Sequence, residues 1–264
     1  MILDILAFLF GSMVGSFLNV CIVRLPKGES LVSPPSHCPG CKRPVRFYDN
    51  VPLLSYIFLL GRCRSCGMRI SPRYFAVEFL MAALSVALLQ HLGLGVAYFT
   101  YFAFAASMIV ITFVDLDYRI VPDVISLPGI VLGLALSVIV YLLPIGYNSA
   151  LPSPPSSFFG ILIGGGILLL VAWAYHFFTG VEGMGEGDVK LLAMIGAFLG
   201  WMSIPVTLFF ASFTGSVLGL AFILIKGGNG KYALPFAPFL CLGALFHLFF
   251  GNDLIDLYLS FGIK

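Results

Sequence analysis

The stretch "GMGEGDVKLL", residues 183–192, alternates three glycines with larger residues and then sets Asp188 and Lys190 at the mouth of a long apolar run. That run is long enough to enter a membrane. The stretch therefore raises two linked questions: whether the chain is membrane-embedded, and what a carboxylate does on a loop nearly bare of side chains.

Composition answers the first. The 264 residues are 60% hydrophobic and only 10% charged, with a mean hydropathy of +1.05, which leaves too little polar surface to cover a soluble domain. Apolar stretches of roughly 20 residues give eight candidate spans, at about 5–23, 74–92, 95–114, 124–143, 157–178, 189–203, 204–225 and 235–251. The sixth and seventh share one apolar run, and Ser203 with Pro205 marks the expected turn between them. The chain is thus expected to be an all-α polytopic membrane protein of about eight transmembrane helices.

Charge sets the orientation. Arg24, Lys27, Lys42, Arg43, Arg46, Arg62, Arg64, Arg69 and Arg73 lie in one segment, which the positive-inside rule places in the cytoplasm. Asp4 is the only early charge and the basic residues follow the first apolar run, so that run reads as a retained helix with its N-terminus outside rather than as a secretory signal. With this parity the loops around 24–73, 115–123, 179–188 and 226–234, with their junctions, hold every Lys and Arg except Lys264. Small residues four apart, Gly160 with Gly164, Gly196 with Gly200 and Gly215 with Gly219, allow close helix contact.

The basic loop carries "CPGC" at 38–41 and "CRSC" at 63–66, two C-x-x-C pairs separated by 21 residues. Cys38, Cys41, Cys63 and Cys66 can offer four thiolates to one tetrahedral ion, which points to a structural zinc site. A disulfide is disfavoured on the reducing side of the membrane. Cys21 and Cys241 fall in apolar segments and read as small core residues. His37 beside Cys38 reads as a supporting or solvated residue, and His91, His176 and His247 show no ligand spacing. The loop's arginines and lysines can touch anionic lipid head groups, and nucleic-acid binding is not needed to explain them.

Acidic residues fall in two groups: Asp115, Asp117 and Asp123 in "VDLDYRIVPD", and Glu182, Glu186 and Asp188 before the sixth span. The expected topology puts both on the cytoplasmic side. One aspartate from each group, held close, would share a proton, so that one accepts a proton from water while the other donates to a carbonyl oxygen. Gly183, Gly185 and Gly187 would let the backbone pass close to a substrate strand. The plainer role for Asp188 is a helix N-cap or a solvated charge. The glycine spacing fits neither common phosphate loop.

The sequence resembles the type IV prepilin peptidases, bifunctional membrane aspartic enzymes of the G-x-G-D class. The resemblance runs over nearly the whole chain, through "GSFLNVCIVRLP" (15–26), both C-x-x-C pairs, "NVPLLSY" (50–56), "DLDYRIVPD", "GMGEGDVKLL" and "LPFAPFLCLGA" (234–244). Carried over by position, it implies Asp115 and Asp188 as the catalytic pair, with Asp117, Asp123, Glu182, Gly185, Gly187 and Lys190 as supporting residues. It implies cleavage of a basic leader from prepilins and pseudopilins after glycine, then N-methylation of the new N-terminal residue with S-adenosylmethionine. The methyl-donor site is left unassigned, the oligomeric state open, and the expected location is the bacterial inner membrane. The implied division is a first helix over 1–23, a tetra-cysteine zinc loop over 24–73 and a transmembrane aspartic peptidase region over 74–264. Competing readings are a cleavage-only peptidase, a non-catalytic zinc-bearing scaffold, and a transporter, which predicts paired repeats and mid-membrane acids.

Overall fold

A computed structural model describes residues 1–143, 150–180, 185–226 and 235–262. Among them there is no strand beyond two isolated bridges, and helices occupy all eight expected places. The long helices are α1 (Ile2–Arg24), α3 (Pro72–Leu92), α4 (Val96–Tyr118), α5 (Asp123–Leu142), α6 (Pro154–Thr179), α7 (Glu186–Leu199), α8 (Ser203–Lys226) and α9 (Ala237–Gly262), with a short α2 (Leu54–Phe58) in the cysteine loop. In lipid the backbone must satisfy its own polar groups, so apolar runs of this length become helices.

Six helices, α1, α3, α4, α5, α6 and α8, are long and apolar enough to cross a membrane. The apolar part of α9 is shorter, Ala237–Gly251. At 1.5 Å per residue the 14 residues of α7 reach only about 21 Å, short of a hydrocarbon core of about 30 Å. The expected sixth span at 189–203 is thus corrected: the helix begins earlier and ends at Leu199. Gly200 closes it in the left-handed region, φ 79°, with its N–H on the Gly196 carbonyl at 2.9 Å. Gly200 is therefore a helix stop. Ser203 and Pro205 lie inside the first turn of α8, where a proline's missing N–H goes unused.

The chain divides into two compact units, Met1–Val110 and Ile111–Lys264. In the first, α1 packs along α3, and the buried Ser85 on α3 shares hydrogen bonds of 2.7 Å with the Ala7 carbonyl on α1 and the Tyr98 hydroxyl on α4. Phe10 stacks on Phe102 at 4.9 Å between ring centres.

In the second unit α7 is the core. Every residue from Leu191 to Phe198 is buried, against α6 on one side and α5 on another. The approach of α6 to α7 is set by Gly160 and Gly196: a Cβ on Gly160 would lie 2.3 Å from the Gly196 carbonyl oxygen. No side chain fits there, which is the close contact expected of Gly160 and Gly196. A Cβ on Gly215 would stand 3.5 Å from the Phe239 ring, an ordinary van der Waals separation.

Candidate active site and cysteine cluster

Helix α4 runs through Tyr118, four residues beyond the expected end at 114, so Asp115 and Asp117 are helical rather than on a loop. Residues two apart on an α-helix point about 200° apart, so burial of one exposes the other. Asp115 is 6% exposed and Asp117 is exposed. The Ala237 N–H, at the start of α9, donates to the Asp115 carboxylate, and the Arg119 charge lies within reach. Its Oδ2 is buried and has no hydrogen-bond partner among the described residues.

Asp188 is the third residue of α7, and Gly185 occupies the N-cap position; the plainer expectation of an aspartate cap is thereby corrected. Its N–H donates to the Gly185 carbonyl at 3.2 Å. Burial, and after it the charge of Asp115, pushes the Asp188 carboxyl up to about 6 from an ordinary 3.8. The structure therefore brings Asp115 and Asp188 within electrostatic reach of each other, and both act on the buried thiol of Cys241, which shares a hydrogen bond with Thr112. Cys241 lies in the core as expected of a small apolar residue, but beside the acids.

The remaining residues of the two motifs separate. Asp123 opens α5 and takes the Lys190 ammonium at 2.9 and 3.0 Å, with Glu186 at 4.0 Å on the other side of Lys190. This pair joins the first turn of α5 to the second turn of α7; being exposed, it contributes at most about 1 kcal/mol. Glu182 lies outside the described residues.

Gly187 meets Val121: a Cβ there would stand 2.8 Å from the Val121 Cβ and 3.1 Å from its Cγ2. A Cβ on Gly185 would find nothing nearer than 4.0 Å. Gly187 thus lets the two acidic motifs touch. Gly187→Ala is expected to destabilise the protein by about 1–3 kcal/mol through overpacking, and Gly187→Ala with Val121→Ala to recover part of that loss. Thermal unfolding in detergent measures both; equal loss in the single and double variants would refute the contact.

The four cysteines form the second constellation, within the first unit. Their sulfurs all lie within 4.8 Å of one another, with Cys38 and Cys66 Sγ 3.8 Å apart, and none is in a disulfide. Both turns share one backbone pattern. Cys38 donates to Arg43 and receives from Lys42, while Cys63 donates to Met68 and receives from Gly67. Lys42 and Gly67 both sit at positive φ, 59° and 71°, so each sulfur pair is presented alike. The Cys41 and Gly40 N–H groups pull the Cys38 thiol down to about 6. Together the four sulfurs make a site able to hold one metal ion.

Sequence reasoning missed the supports of this loop. Arg24 is buried and donates to the carbonyls of Ser30 and Pro34 at 2.8 and 2.7 Å. Glu78 is buried on α3 and accepts the Leu53 N–H at 2.7 Å. Asn19 donates to the Tyr74 carbonyl at 3.0 Å. Arg64 and Asp49 form a bidentate pair, 2.7 to 3.0 Å, that joins the segment after the first cysteine pair to the interior of the second and holds the Asp49 carboxyl below the usual range. Charged and amide residues beside apolar runs were the available signal.

Comparison with known proteins fits this geometry. Residues 9–92 match the Bacterial Peptidase A24 N-terminal domain, and residues 102–220 match the Type IV leader peptidase family. Similar curated proteins, each named prepilin leader peptidase/N-methyltransferase, occur in Aeromonas salmonicida (35% identical, 97% of this chain and 93% of the relative), Pseudomonas aeruginosa (34%, 96% and 92%) and Dichelobacter nodosus (34%, 95% and 92%). No solved structure is a significant match. Fold and site define a multi-pass helical membrane protein with a pair of neighbouring acids. The chain belongs to the type IV leader peptidase family.

Proposed function

We propose that this chain is a bifunctional enzyme of the bacterial inner membrane that removes the basic leader from type IV prepilins and pseudopilins after a glycine and then methylates the new N-terminal amine with S-adenosylmethionine. The observation that carries the peptidase reading is the buried Asp115, one oxygen of which has no partner among the described residues, beside an Asp188 whose carboxyl is held at about 6. A carboxyl at about 6 keeps a proton to donate up to mildly acidic pH, well above an ordinary aspartate.

In this reading Asp188 donates its proton to the scissile carbonyl oxygen while Asp115 takes a proton from water. The water oxygen bonds to the carbonyl carbon, and the tetrahedral adduct collapses with cleavage of the C–N bond and protonation of the leaving amine. The methyl transfer rests on the names of the relatives, and no step of it is assigned to residues of this chain. S-adenosylmethionine supplies the methyl group as an electrophilic carbon on sulfonium.

Charge asymmetry supports a cytoplasmic cysteine loop and active site, with the N-terminus outside. A substrate made of a basic leader and an apolar stem would then lie with its scissile bond near the cytoplasmic surface. Zinc suits the cysteine cluster: Zn–S bonds of about 2.3 Å set tetrahedral sulfurs about 3.8 Å apart, the separation of Cys38 and Cys66. The ion would hold the two turns of the loop together.

Mass spectrometry of a prepilin incubated with the purified protein and S-adenosylmethionine tests both activities. The expected product has lost its leader and gained about 14 Da, the mass of one CH2 added to an amine. Cleavage without the gain would leave a peptidase alone, and an intact prepilin would overturn the reading.

A further inference from the structure

The segment 51–60 of the cysteine loop, with α2 at its centre, is unusually apolar for a connection outside the spans. Leu54, Ile57, Phe58 and Leu60 are 51%, 54%, 80% and 82% exposed. Grouped apolar side chains of this size mark a surface that something covers. The other side of the segment is fastened. Leu53 is buried and its N–H donates to Glu78 on α3, the Tyr56 hydroxyl donates to the Ile70 carbonyl at 3.3 Å, and the Tyr56 ring lies 5.5 Å from Phe75, which in turn stacks on Phe79.

These fastenings give the segment a depth. Phe75 and Glu78 are the fourth and seventh residues of α3, a membrane-spanning helix, so at 1.5 Å per residue Glu78 lies about 9 Å in from its start. Helix α2 is thus held against the flank of a span, along its first two turns, rather than beyond its end. Apolar faces of interfacial helices lie about 5–10 Å into the boundary of head groups and acyl chains. The flanking Arg62 and Arg69 are exposed, the arrangement that anionic head groups attract.

We propose that residues 51–60 form a membrane-interface anchor, with Leu54, Ile57, Phe58 and Leu60 inserted among the upper acyl carbons and Arg62 and Arg69 on anionic head groups. Cys63 follows Leu60 by three residues, so the anchor also fixes the second cysteine turn at the membrane surface. The occupant is the bilayer itself, continuous with the lipid that surrounds α3.

Tryptophan quenching in the full chain tests this. The protein has two tryptophans, so Phe58→Trp and Leu60→Trp are each placed in a Trp173→Phe, Trp201→Phe background, with Val32→Trp, at a 90% exposed loop position, as the aqueous reference. The proteins are reconstituted in nanodiscs of phosphatidylcholine and phosphatidylglycerol, with or without bromine on the upper acyl carbons. The expected result is at least twofold quenching by brominated lipid at positions 58 and 60, with iodide quenching at least threefold weaker than at position 32. Iodide quenching equal to position 32 without a bromolipid effect would overturn the proposal by placing the segment in water. Protection from both quenchers would overturn it by showing that protein covers the segment. Agreement of the two independent positions guards against a local disturbance by either tryptophan.

Discussion

Asp115→Asn and Asp188→Asn are each expected to lower leader cleavage by about 10³-fold or more, the scale of losing a positioned proton donor or acceptor. Asparagine keeps the size of the side chain but neither takes a proton from water nor gives one to a carbonyl oxygen. The fold should survive, because Asp115 sits near the end of α4 with one oxygen unpartnered among the described residues, and Asp188 lies in the first turn of α7. Asp123→Asn should fall less than about tenfold, since it weakens only an exposed ion pair. The same substrate and mass spectrometry measure all three, and cleavage surviving in either of the first two variants removes that residue from the pair.

The raised Asp188 carboxyl gives this prediction a pH signature. The protonated donor is present below about 6 and is lost above it, so kcat/KM should fall as pH rises through that value. Stability follows the same sign. The folded carboxyl keeps its proton up to about 6 while the unfolded one releases it near 3.8, so this group's contribution is complete below 3.8 and lost as pH rises through about 6.

In the zinc reading proposed above, removing the metal should have the second large effect. Cys38→Ser and Cys63→Ser are expected to reduce bound zinc from one ion per chain to nearly none, measured by elemental analysis, and to open 24–73 to protease. Structural zinc sites of this kind contribute on the order of 10–16 kcal/mol of apparent binding energy to folding, more than a loop with so few buried side chains can supply otherwise. Total helix content by circular dichroism should hardly change, because the spans do not depend on the loop's sulfurs for their hydrogen bonds. Cys21→Ser and Cys241→Ser, both outside the cluster, should keep the ion. Full zinc content in the Cys38 and Cys63 variants would refute the four-sulfur site.

Apolar length determined the helices from sequence alone, because a backbone in lipid has few ways to satisfy itself. The cysteine cluster was equally legible, since two C-x-x-C turns are local units whose backbone pattern needs only nearby residues. The end of the short α7 was less so: the sequence placed the turn at Ser203 and Pro205, and only the positive φ at Gly200 shows that the helix stops earlier. Tertiary structure alone separates the three aspartates of the first motif by environment. Asp115 is turned inward by helix phase and reached by the Ala237 N–H from α9, Asp117 is turned outward, and Asp123 is taken by Lys190. Composition and spacing are properties of one segment, whereas the burial and proton affinity of a carboxylate depend on which distant segments pack around it.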